Sequence, residues 1–270
     1  LSIGVHLLNL LCLPAMALVY YFRRAKTPTL KGSVLSLVAS FALVGLMMYG
    51  VVQGVPKFAG KWDMFFVNSL GLSYNQGMYI YLAVLVAVLI WGVYETELAL
   101  KDEKHLRSHR FRLSIVLSLV LMGLPLIGDG IVAFLIAAAI GSFFYWYKGF
   151  TARVVHTVQM CLVAIAMGFS SYGVILVRAV ADPPMNENAP ADAFSLRYYL
   201  AREQYGSAPL FYGPTFASEY KMGPDGRPVF KDKEPTYGRI HKDSPSDPDK
   251  YVVRAKEDEP EYESSGMMLF

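Results

Sequence analysis

Residues 111–147 read FRLSIVLSLVLMGLPLIGDGIVAFLIAAAIGSFFYWY, two apolar runs joined by the turn Gly128-Asp129-Gly130. Each run is close to the roughly 20 helical residues that cross a bilayer core about 30 Å thick. The two glycines favour a tight turn, and Pro125 is predicted to kink the first helix near its end. The stretch therefore predicts an antiparallel pair of transmembrane helices.

Four further apolar runs of similar length lie at residues 3–21, 33–53, 78–94 and 156–177. The fold class predicted is an all-α integral membrane bundle of about six transmembrane helices over residues 1–178. A mixed, partly irregular tail follows over residues 179–270, as the start of a soluble domain. A hydrophobic fraction of 54%, a charged fraction of 17% and a mean hydropathy of +0.35 agree with this division. They exclude a single soluble globule, a disordered chain and a fibrous repeat.

The charges also divide the chain. Residues 1–177 contain 13 Lys and Arg against 6 Asp and Glu, whereas the rest contains 12 against 16. The linkers after the first, third and fifth runs carry 11 basic residues, and the alternate linkers carry only Lys57 and Lys61. The positive-inside rule predicts a multi-pass protein of the bacterial inner membrane with a periplasmic tail, or a lumenal tail if the host is eukaryotic. Because the basic charge follows topology, nucleic acid is not an expected partner.

Residues 55–70 combine an apolar helical face with an opposite face that carries Lys57, Lys61 and Asp63. This pattern is typical of an amphipathic helix that lies in the membrane interface with its charged side chains toward water. We therefore expect such a helix on the outer side, between the second and third spans.

The tail has its own local signals. Residues 191–204 predict an amphipathic helix, with Pro190 in its first turn and Gly206 at its end. Residues 235–265 are charged and contain few aromatic side chains other than tyrosines, which predicts a long loop or a hairpin with little core of its own.

The sequence contains no metal-ligand spacing, phosphate-binding loop, dinucleotide motif or nucleophile elbow, so neither a metal nor a cofactor is expected. Polar residues near the membrane are the remaining candidates, because ionisable groups are costly there. A site for a sugar on a lipid phosphate needs a cation for the phosphate, and acids and amides for the hydroxyls. The candidate substrate-binding residues are Asp129, Arg178, Asp182, Asn186, Glu187 and Asn188.

Each candidate also has a structural interpretation. Asp129 suits a tight turn whether or not it contacts substrate. Arg178 either extends from a helix end to the membrane surface or binds the carrier phosphate. Residues 182–190, here called the elbow, either close over sugar or acceptor or orient the tail against the helices. The sequence leaves both interpretations open.

Several runs resemble one family in order and spacing. They are GVHLLNLL at 4–11, FFVNSLGL at 65–72, GFSSY at 168–172, PPMNEN at 183–188, YYL at 198–200, REQYG at 202–206 and PLFYGP at 209–214. The family they resemble consists of large bacterial multi-pass membrane proteins, long described as of unknown function. Its eukaryotic relatives are transmembrane O-mannosyltransferases.

The resemblance implies a GT-C-type glycosyltransferase that transfers a hexose, mannose first, from a polyprenyl-phosphate carrier to Ser or Thr of exported proteins. The implied partners are membrane lipid, the lipid-linked sugar as donor substrate and an exported acceptor protein. In this family the general base is an acidic residue of the first outer loop. We expect it upstream of these residues, so the chain is interpreted as an internal or C-terminal membrane fragment that is inactive alone. The alternative is a non-enzymatic membrane scaffold or lipid-carrier transporter with a periplasmic interaction tail.

Overall fold

The computed structural model of the chain describes residues 7–127, 130–205, 212–231, 235–242, 244, 246–254, 259–263 and 267–269. Before the tail its helices are α1 (Cys12–Arg24), α2 (Leu30–Gly45), α3 (Gly54–Leu70), α4 (Gln76–Lys101), α5 (His109–Leu121), α6 (Gly130–Trp146), α7 (Ala152–Phe169) and α8 (Tyr172–Val180). Short 3-10 segments cover Leu7–Leu11, Glu103–Arg107 and Leu124–Ile127.

Four helical stretches of the described chain are long and apolar enough to cross a membrane. They are Leu30–Leu70, Gln76–Lys101, His109–Ile127 and Ala152–Val180. The apolar helix α6 is shorter, at 17 residues, and α1 has 13. The first predicted run lies partly outside the described residues. The structure therefore gives four candidate spans where the sequence predicts six.

The run Leu30–Leu70 is a single helical stretch of 41 residues, in which the π-helical segment Leu46–Val52 joins α2 to α3. At 1.5 Å per residue it is about 60 Å long, about twice the thickness of a bilayer core. The sequence predicts a span that stops near residue 53 and a separate helix after it. The structure has no break there, because the backbone passes from α through π to α geometry without leaving the helical region.

Pro125 does not kink α5. The helix ends at Leu121, Gly123 adopts a φ of +85°, and Pro125 lies in the 3-10 segment beyond it. A positive φ is open to glycine at little cost, so the chain leaves the helix two residues before the proline. The turn that follows, including Asp129, lies outside the described residues.

Two apolar clusters hold the membrane helices together. The larger one includes Val51, Tyr81, Leu85, Leu89 and Met122, and the smaller one includes Ala99, Phe111, Ile115 and Val155. Helix α4 contributes to both and is the central element of the bundle. Its first turn lies beside the tail, so its other end, near Lys101, marks what we call the far side of the bundle.

A fully buried carboxylate, Glu95, lies near the far-side end of α4. Its Oε1 accepts the Trp91 indole N–H at 2.8 Å and lies 3.1 Å from Arg110 Nη2, while its Oε2 lies 2.6 Å from His105 Nε2. These contacts tie the segment Glu103–Arg107 and the start of α5 to α4.

The tail begins with α9 (Ala193–Ala201), which is shorter than predicted. Asp192 caps it by accepting the Ser195 N–H at 2.9 Å, and the Ser195 hydroxyl accepts the Asp192 N–H in return. Pro190 therefore precedes the first turn. The helix ends before Gly206 because Arg202 adopts a left-handed conformation, with a φ of +60°.

The strands are nested around residues 240–250. They are β1 (Tyr212–Pro214), β2 (Phe230–Lys231), β3 (Thr236–Arg239), β4 (Tyr251–Arg254), β5 (Glu259–Pro260) and β6 (Met267–Leu269), paired antiparallel as β1–β6, β2–β5 and β3–β4. The hairpin interpretation of residues 235–265 is confirmed for the described part. Its inner pair shares a small core with Val67 of α3 and Phe194 of α9, through the buried Tyr251.

Candidate functional site

The polar face of α3 is turned into the protein. Asp63 is fully buried and Lys57 is 6% exposed, whereas Phe65, on the predicted apolar face, is 58% exposed. The prediction that the charged face of this helix lies toward water is wrong for Lys57 and Asp63. Around Asp63 this face is covered by the start of α4 and by the tail, which supply polar partners for the carboxylate.

Asp63 joins three segments of the chain. Its Oδ2 accepts the Asn75 N–H at 2.9 Å and the Tyr251 hydroxyl at 2.7 Å, and its Oδ1 accepts the Met78 N–H at 3.2 Å. Residues 75 and 78 belong to the start of α4, where free N–H groups and the helix dipole favour an anion. Gly77 permits this approach, since a Cβ there would lie 2.7 Å from the Cα of Asp63. Asp63 therefore acts as a structural acceptor.

The hairpin docks beside Asp63 through backbone hydrogen bonds. The Asn68 amide donates to the Tyr251 carbonyl at 3.0 Å and accepts the Tyr251 N–H at 2.9 Å, as a neighbouring strand would. The Tyr74 hydroxyl donates to the Lys250 carbonyl at 2.8 Å. Burial raises the pKa of the Tyr251 phenol above its ordinary range, so the hydroxyl stays protonated and can donate to Asp63.

A polar cavity of about 760 Å³ lies between α9 and the β3–β4 hairpin, and we call it the tail cavity. Its lining includes Asn188, Tyr198, Glu203, Tyr237, Arg239 and Arg254. Amide, carboxylate, guanidinium and phenol groups around one cavity can bind hydroxyl-rich or peptide ligands, with aromatic rings as apolar walls.

The two arginines of the tail cavity differ in their contacts. Arg239 Nε lies 3.2 Å from Asp192 Oδ2, and its Nη2 donates to the Ala191 carbonyl at 2.7 Å. Its guanidinium also lies 4.7 Å from the centre of the Tyr74 ring. Arg254 is exposed and lies against Gly238, where a side chain would collide with it. Arg239 is therefore used by the fold, and Arg254 is the cation that a ligand can reach.

An apolar groove lies between α4 and α7, within the membrane helices. It consists of two adjoining cavities of about 300 and 590 Å³, which share Val86, Leu89, Ala166 and Ser170. The smaller one reaches Val177 of α8 and also Ala193 and Leu196 of α9. Other side chains of α9, among them Ser195 and Tyr198, line the tail cavity. Helix α9 thus separates an apolar groove from a polar cavity.

Five of the six predicted site residues lie in the chain between these two cavities, at positions 178–188, whereas Asp129 lies outside the described residues. Arg178 follows the groove residue Val177 and is exposed. The Asn186 amide donates to Asp182 Oδ1 at 3.3 Å and to the Ala179 carbonyl at 3.2 Å. Glu187 is exposed, and Asn188 lines the tail cavity. The structure therefore brings Asp182 and Asn186 together, brings Asn188 to a cavity, and leaves Arg178 and Glu187 open to a ligand.

The elbow also has the features of a structural turn. Asp182 and Asn188 have positive φ values of 47° and 59°. Aspartate and asparagine tolerate this conformation better than most residues. Both interpretations offered for the elbow are compatible with this backbone.

Several residues of the site were not identified from the sequence as contacts. Asn68 and Tyr251 are 183 residues apart, and no local pattern connects them. For Arg254 a weak signal exists, since β3 and β4 each end in an arginine. In an antiparallel pair such residues lie at opposite ends, so the pattern alone does not bring them to one cavity.

Two family models match parts of the chain. Residues 1–29 match the Protein O-mannosyl-transferase TMEM260 N-terminal domain, and residues 206–270 match a Family of unknown function (DUF8416). No curated protein and no solved structure matches the chain. The first match is a partial link to O-mannosyltransferases, limited to the beginning of the chain. The second begins just after α9, within the tail.

Proposed function

We propose that the chain is part of an integral-membrane glycosyltransferase of the GT-C type. It transfers a hexose, with mannose as the first candidate, from a polyprenyl-phosphate carrier to Ser or Thr of exported proteins. The observation that carries the proposal is the match of residues 1–29 to an O-mannosyl-transferase domain. The four candidate spans give it a membrane setting, which we propose to be the bacterial inner membrane with the tail in the periplasm.

The carrier lipid has a route along the bundle in this proposal. The apolar groove receives part of the isoprenoid chain, because its walls are mostly aliphatic and aromatic side chains, with Glu97 and Ser170 as the polar exceptions. Arg178 then binds the carrier phosphate, since it follows Val177 of the groove and its guanidinium is exposed. A guanidinium is suited to this task because its planar fork matches two phosphate oxygens.

The sugar or the acceptor peptide occupies the tail cavity. Asn188 and Glu203 offer an amide and a carboxylate for hydroxyl groups, and Tyr198 and Tyr237 offer aromatic surface. The elbow connects this cavity to the end of α8, so that Asp182, Asn186 and Glu187 lie along the path between phosphate and sugar. Asp129 remains a candidate of the same site, although it lies outside the described residues.

Asp63 is unsuitable as the general base. Its carboxylate is fully buried and already accepts three hydrogen bonds, so an acceptor hydroxyl has no access to it. No separate cofactor is required, because the lipid-linked sugar is itself the activated donor.

The test uses membranes from cells with and without the gene. Labelled mannose on polyprenyl phosphate is supplied, and its transfer to exported proteins is measured. Gene-dependent labelling supports the proposal. Absence of labelling with mannose and with other polyprenyl-linked hexoses contradicts it.

The role of Arg178 is tested in the same assay. Arg178→Ala should reduce transfer about tenfold or more, since a charge-assisted contact to phosphate is lost. Arg227→Ala removes an exposed arginine of the tail, outside the proposed site, and should leave transfer unchanged. Equal transfer by Arg178→Ala and the unmodified protein would remove Arg178 from the site.

A membrane scaffold or lipid-carrier transporter is the second candidate. The docked hairpin favours it, because Asn68 and Asp63 anchor Tyr251 and so hold the tail hairpin in a fixed position against α3. A scaffold or transporter would give no labelling in the transfer assay, and a specific protein or carrier lipid would bind to the tail side.

A further inference from the structure

The far side of the bundle contains a second polar cavity, of about 590 Å³. It lies where the segment Glu103–Arg107, the start of α5 and the end of α6 meet. We call it the basic cavity, and its lining includes Lys104, Arg107, Arg112, Lys148, Phe144 and Tyr147. Nothing in the proposed glycosyl transfer uses it, since the groove, the elbow and the tail cavity lie elsewhere.

Positive charge dominates the basic cavity. Four cationic side chains line it, against the single carboxylate of Glu103. Among the described residues, no carboxylate forms an ion pair with Lys104, Arg107 or Lys148. The nearest buried carboxylate, Glu95, is already occupied by His105 and Arg110. Like charges around one cavity repel each other, so an anion bound there is stabilised.

Arg112 is oriented by the end of α6. It donates to the Tyr145 carbonyl at 3.1 Å, and its guanidinium lies 5.6 Å from the centre of the Tyr145 ring. Neither contact neutralises its charge. The guanidinium therefore keeps donors for an oxygen-rich anion, of which phosphate is the best geometric match.

The surroundings of the basic cavity indicate a membrane border. Phe144 and Phe150 stack in its wall with ring centres 4.9 Å apart, and Trp146 is 82% exposed beside it. Aromatic side chains at the end of an apolar helix are typical of the headgroup level of a bilayer. Exposed apolar side chains of α6, such as Phe134 and Leu135, offer a surface for acyl chains.

We propose that the basic cavity binds the phosphate-bearing headgroup of an anionic phospholipid, whose acyl chains lie along α6. Basic cavities between membrane helices are suited to such headgroups, and each nearby Lys or Arg strengthens the attraction. A soluble phosphate compound shares the headgroup chemistry. It gains nothing from the aromatic wall and the apolar face of α6, which is why we assign the site to lipid.

The test measures lipid retention by the full chain purified in detergent. The protein is equilibrated with phosphatidylglycerol and phosphatidylcholine, and bound lipid is counted by native mass spectrometry. The unmodified protein should retain phosphatidylglycerol in preference. The double variant Arg107→Gln/Lys148→Gln should reduce this retention roughly tenfold or more. Both side chains are exposed, so the substitutions remove charge with little effect on packing.

Two further variants complete the test. Lys26→Gln/Lys31→Gln makes the same change of net charge in the linker after α1 and the first turn of α2, at residues that do not line the cavity, and should retain phosphatidylglycerol normally. Arg107→Lys/Lys148→Arg keeps the charge and should also retain it. This second variant keeps the proposal testable if the glutamine variant fails to fold.

Three results would overturn the proposal. One is unchanged retention in a folded Arg107→Gln/Lys148→Gln protein. Another is equal loss in Lys26→Gln/Lys31→Gln, which would mean a diffuse effect of net charge. The third is displacement of phosphatidylglycerol by soluble glycerol phosphate at millimolar concentration, which would assign the cavity to a soluble phosphate compound. Transfer of sugar is not measured, so failure here leaves the proposed glycosyl transfer unaffected.

Discussion

Asp63 of α3 and Glu95 of α4 are both fully buried, the first beside the start of α4 and the second near its far-side end, but their partners differ. Asp63 accepts two backbone N–H groups and a tyrosine hydroxyl, none of which carries a formal charge. Glu95 is surrounded by Arg110, His105 and the Trp91 indole. The first carboxylate is stabilised by the start of a helix and the second by ionisable side chains.

The comparison distinguishes two ways of holding a segment against a helix bundle. The donors around Asp63 cannot become acceptors, apart from the tyrosine hydroxyl, so its geometry admits little change. His105 can donate or accept, and the Arg110 side chain is 70% exposed, so the contacts of Glu95 can adjust. We therefore expect the tail side to be sensitive to isosteric substitution and the far side to tolerate it.

Asp63→Asn should have the largest effect. One carboxylate oxygen becomes an NH₂ group, which would face a backbone N–H of residue 75 or 78 inside the protein. A buried donor without an acceptor costs about 1–3 kcal/mol, and two donors are then in conflict, so we expect a loss of about 3 kcal/mol. The measurement is the thermal midpoint in detergent, together with the rate at which a protease removes the tail.

Asp225→Asn serves as its control, because Asp225 is exposed in a tail turn and should change neither quantity. If Asp63→Asn left the tail as resistant to protease as before, Asp63 would not be the residue that holds the hairpin.

Tyr251→Phe should follow, with a loss of about 1–2 kcal/mol, because Asp63 loses one donor and keeps two. Tyr251 also makes the stability of the docked hairpin depend on pH. Its pKa is raised by burial, so the docked hairpin holds a proton that the undocked one releases above the ordinary value near 10. The stabilisation is therefore complete below about pH 10 and declines as the pH rises further.

Protease digestion of the tail between about pH 8 and about pH 11 checks this dependence. The decline should be smaller in Tyr251→Phe, although Tyr198, whose pKa burial also raises, retains part of it. An identical pH profile for both proteins would mean that Tyr251 ionises as freely in the docked hairpin as outside it.

Glu95→Gln should cost less, about 1 kcal/mol. The amide oxygen still accepts from Trp91, and the amide nitrogen can donate to a neutral His105. Arg110 loses its partner but is largely exposed, so water replaces the carboxylate. A loss as large as that of Asp63→Asn, measured by the same thermal midpoint, would mean that ionic partners are no more adaptable than neutral ones.

Lys242→Met should have the smallest effect, at most about 0.5 kcal/mol. Lys242 pairs with Asp249 at 2.6 Å in the hairpin, and both side chains are partly exposed to water, which weakens the attraction. Asp249 keeps the Tyr74 N–H as a donor, at 3.0 Å. If Lys242→Met lowered the thermal midpoint as much as Glu95→Gln, burial would not determine how much each ion pair stabilises the protein.

The sequence was sufficient for features that depend on local apolar content. The predicted span 78–94 lies within Gln76–Lys101, and the predicted helix 131–147 coincides with Gly130–Trp146 to within one residue. An apolar run of this length has few alternatives to a buried or membrane helix. For residues 235–265 the composition left a long loop or a hairpin open, and the pairing of β3 with β4 shows the hairpin.

The sequence could not predict which face of α3 lies toward the protein interior. Helical periodicity identifies Lys57 and Asp63 as members of one face, but it does not identify what covers that face. Water was assumed, whereas the cover is the start of α4 and a hairpin residue 188 positions away from Asp63. For the candidate site the sequence singled out the elbow. It could not place Arg254, which reaches the tail cavity only through strand pairing.

The π-helical segment Leu46–Val52 accommodates an extra residue between α2 and α3. A π turn contains one residue more than an α turn, and each residue turns a helix by about 100°. Loss of a single residue from this segment would restore a plain α-helix and leave the rotation of α3 relative to α2 nearly unchanged, because each remaining residue would turn further. Loss of one residue from α3 between Gly54 and Asp63 would instead rotate Asp63 and Asn68 by about 100° relative to α2, away from Tyr251. The π-helical segment thus lets the chain hold one residue more without changing the face that α3 presents to the tail.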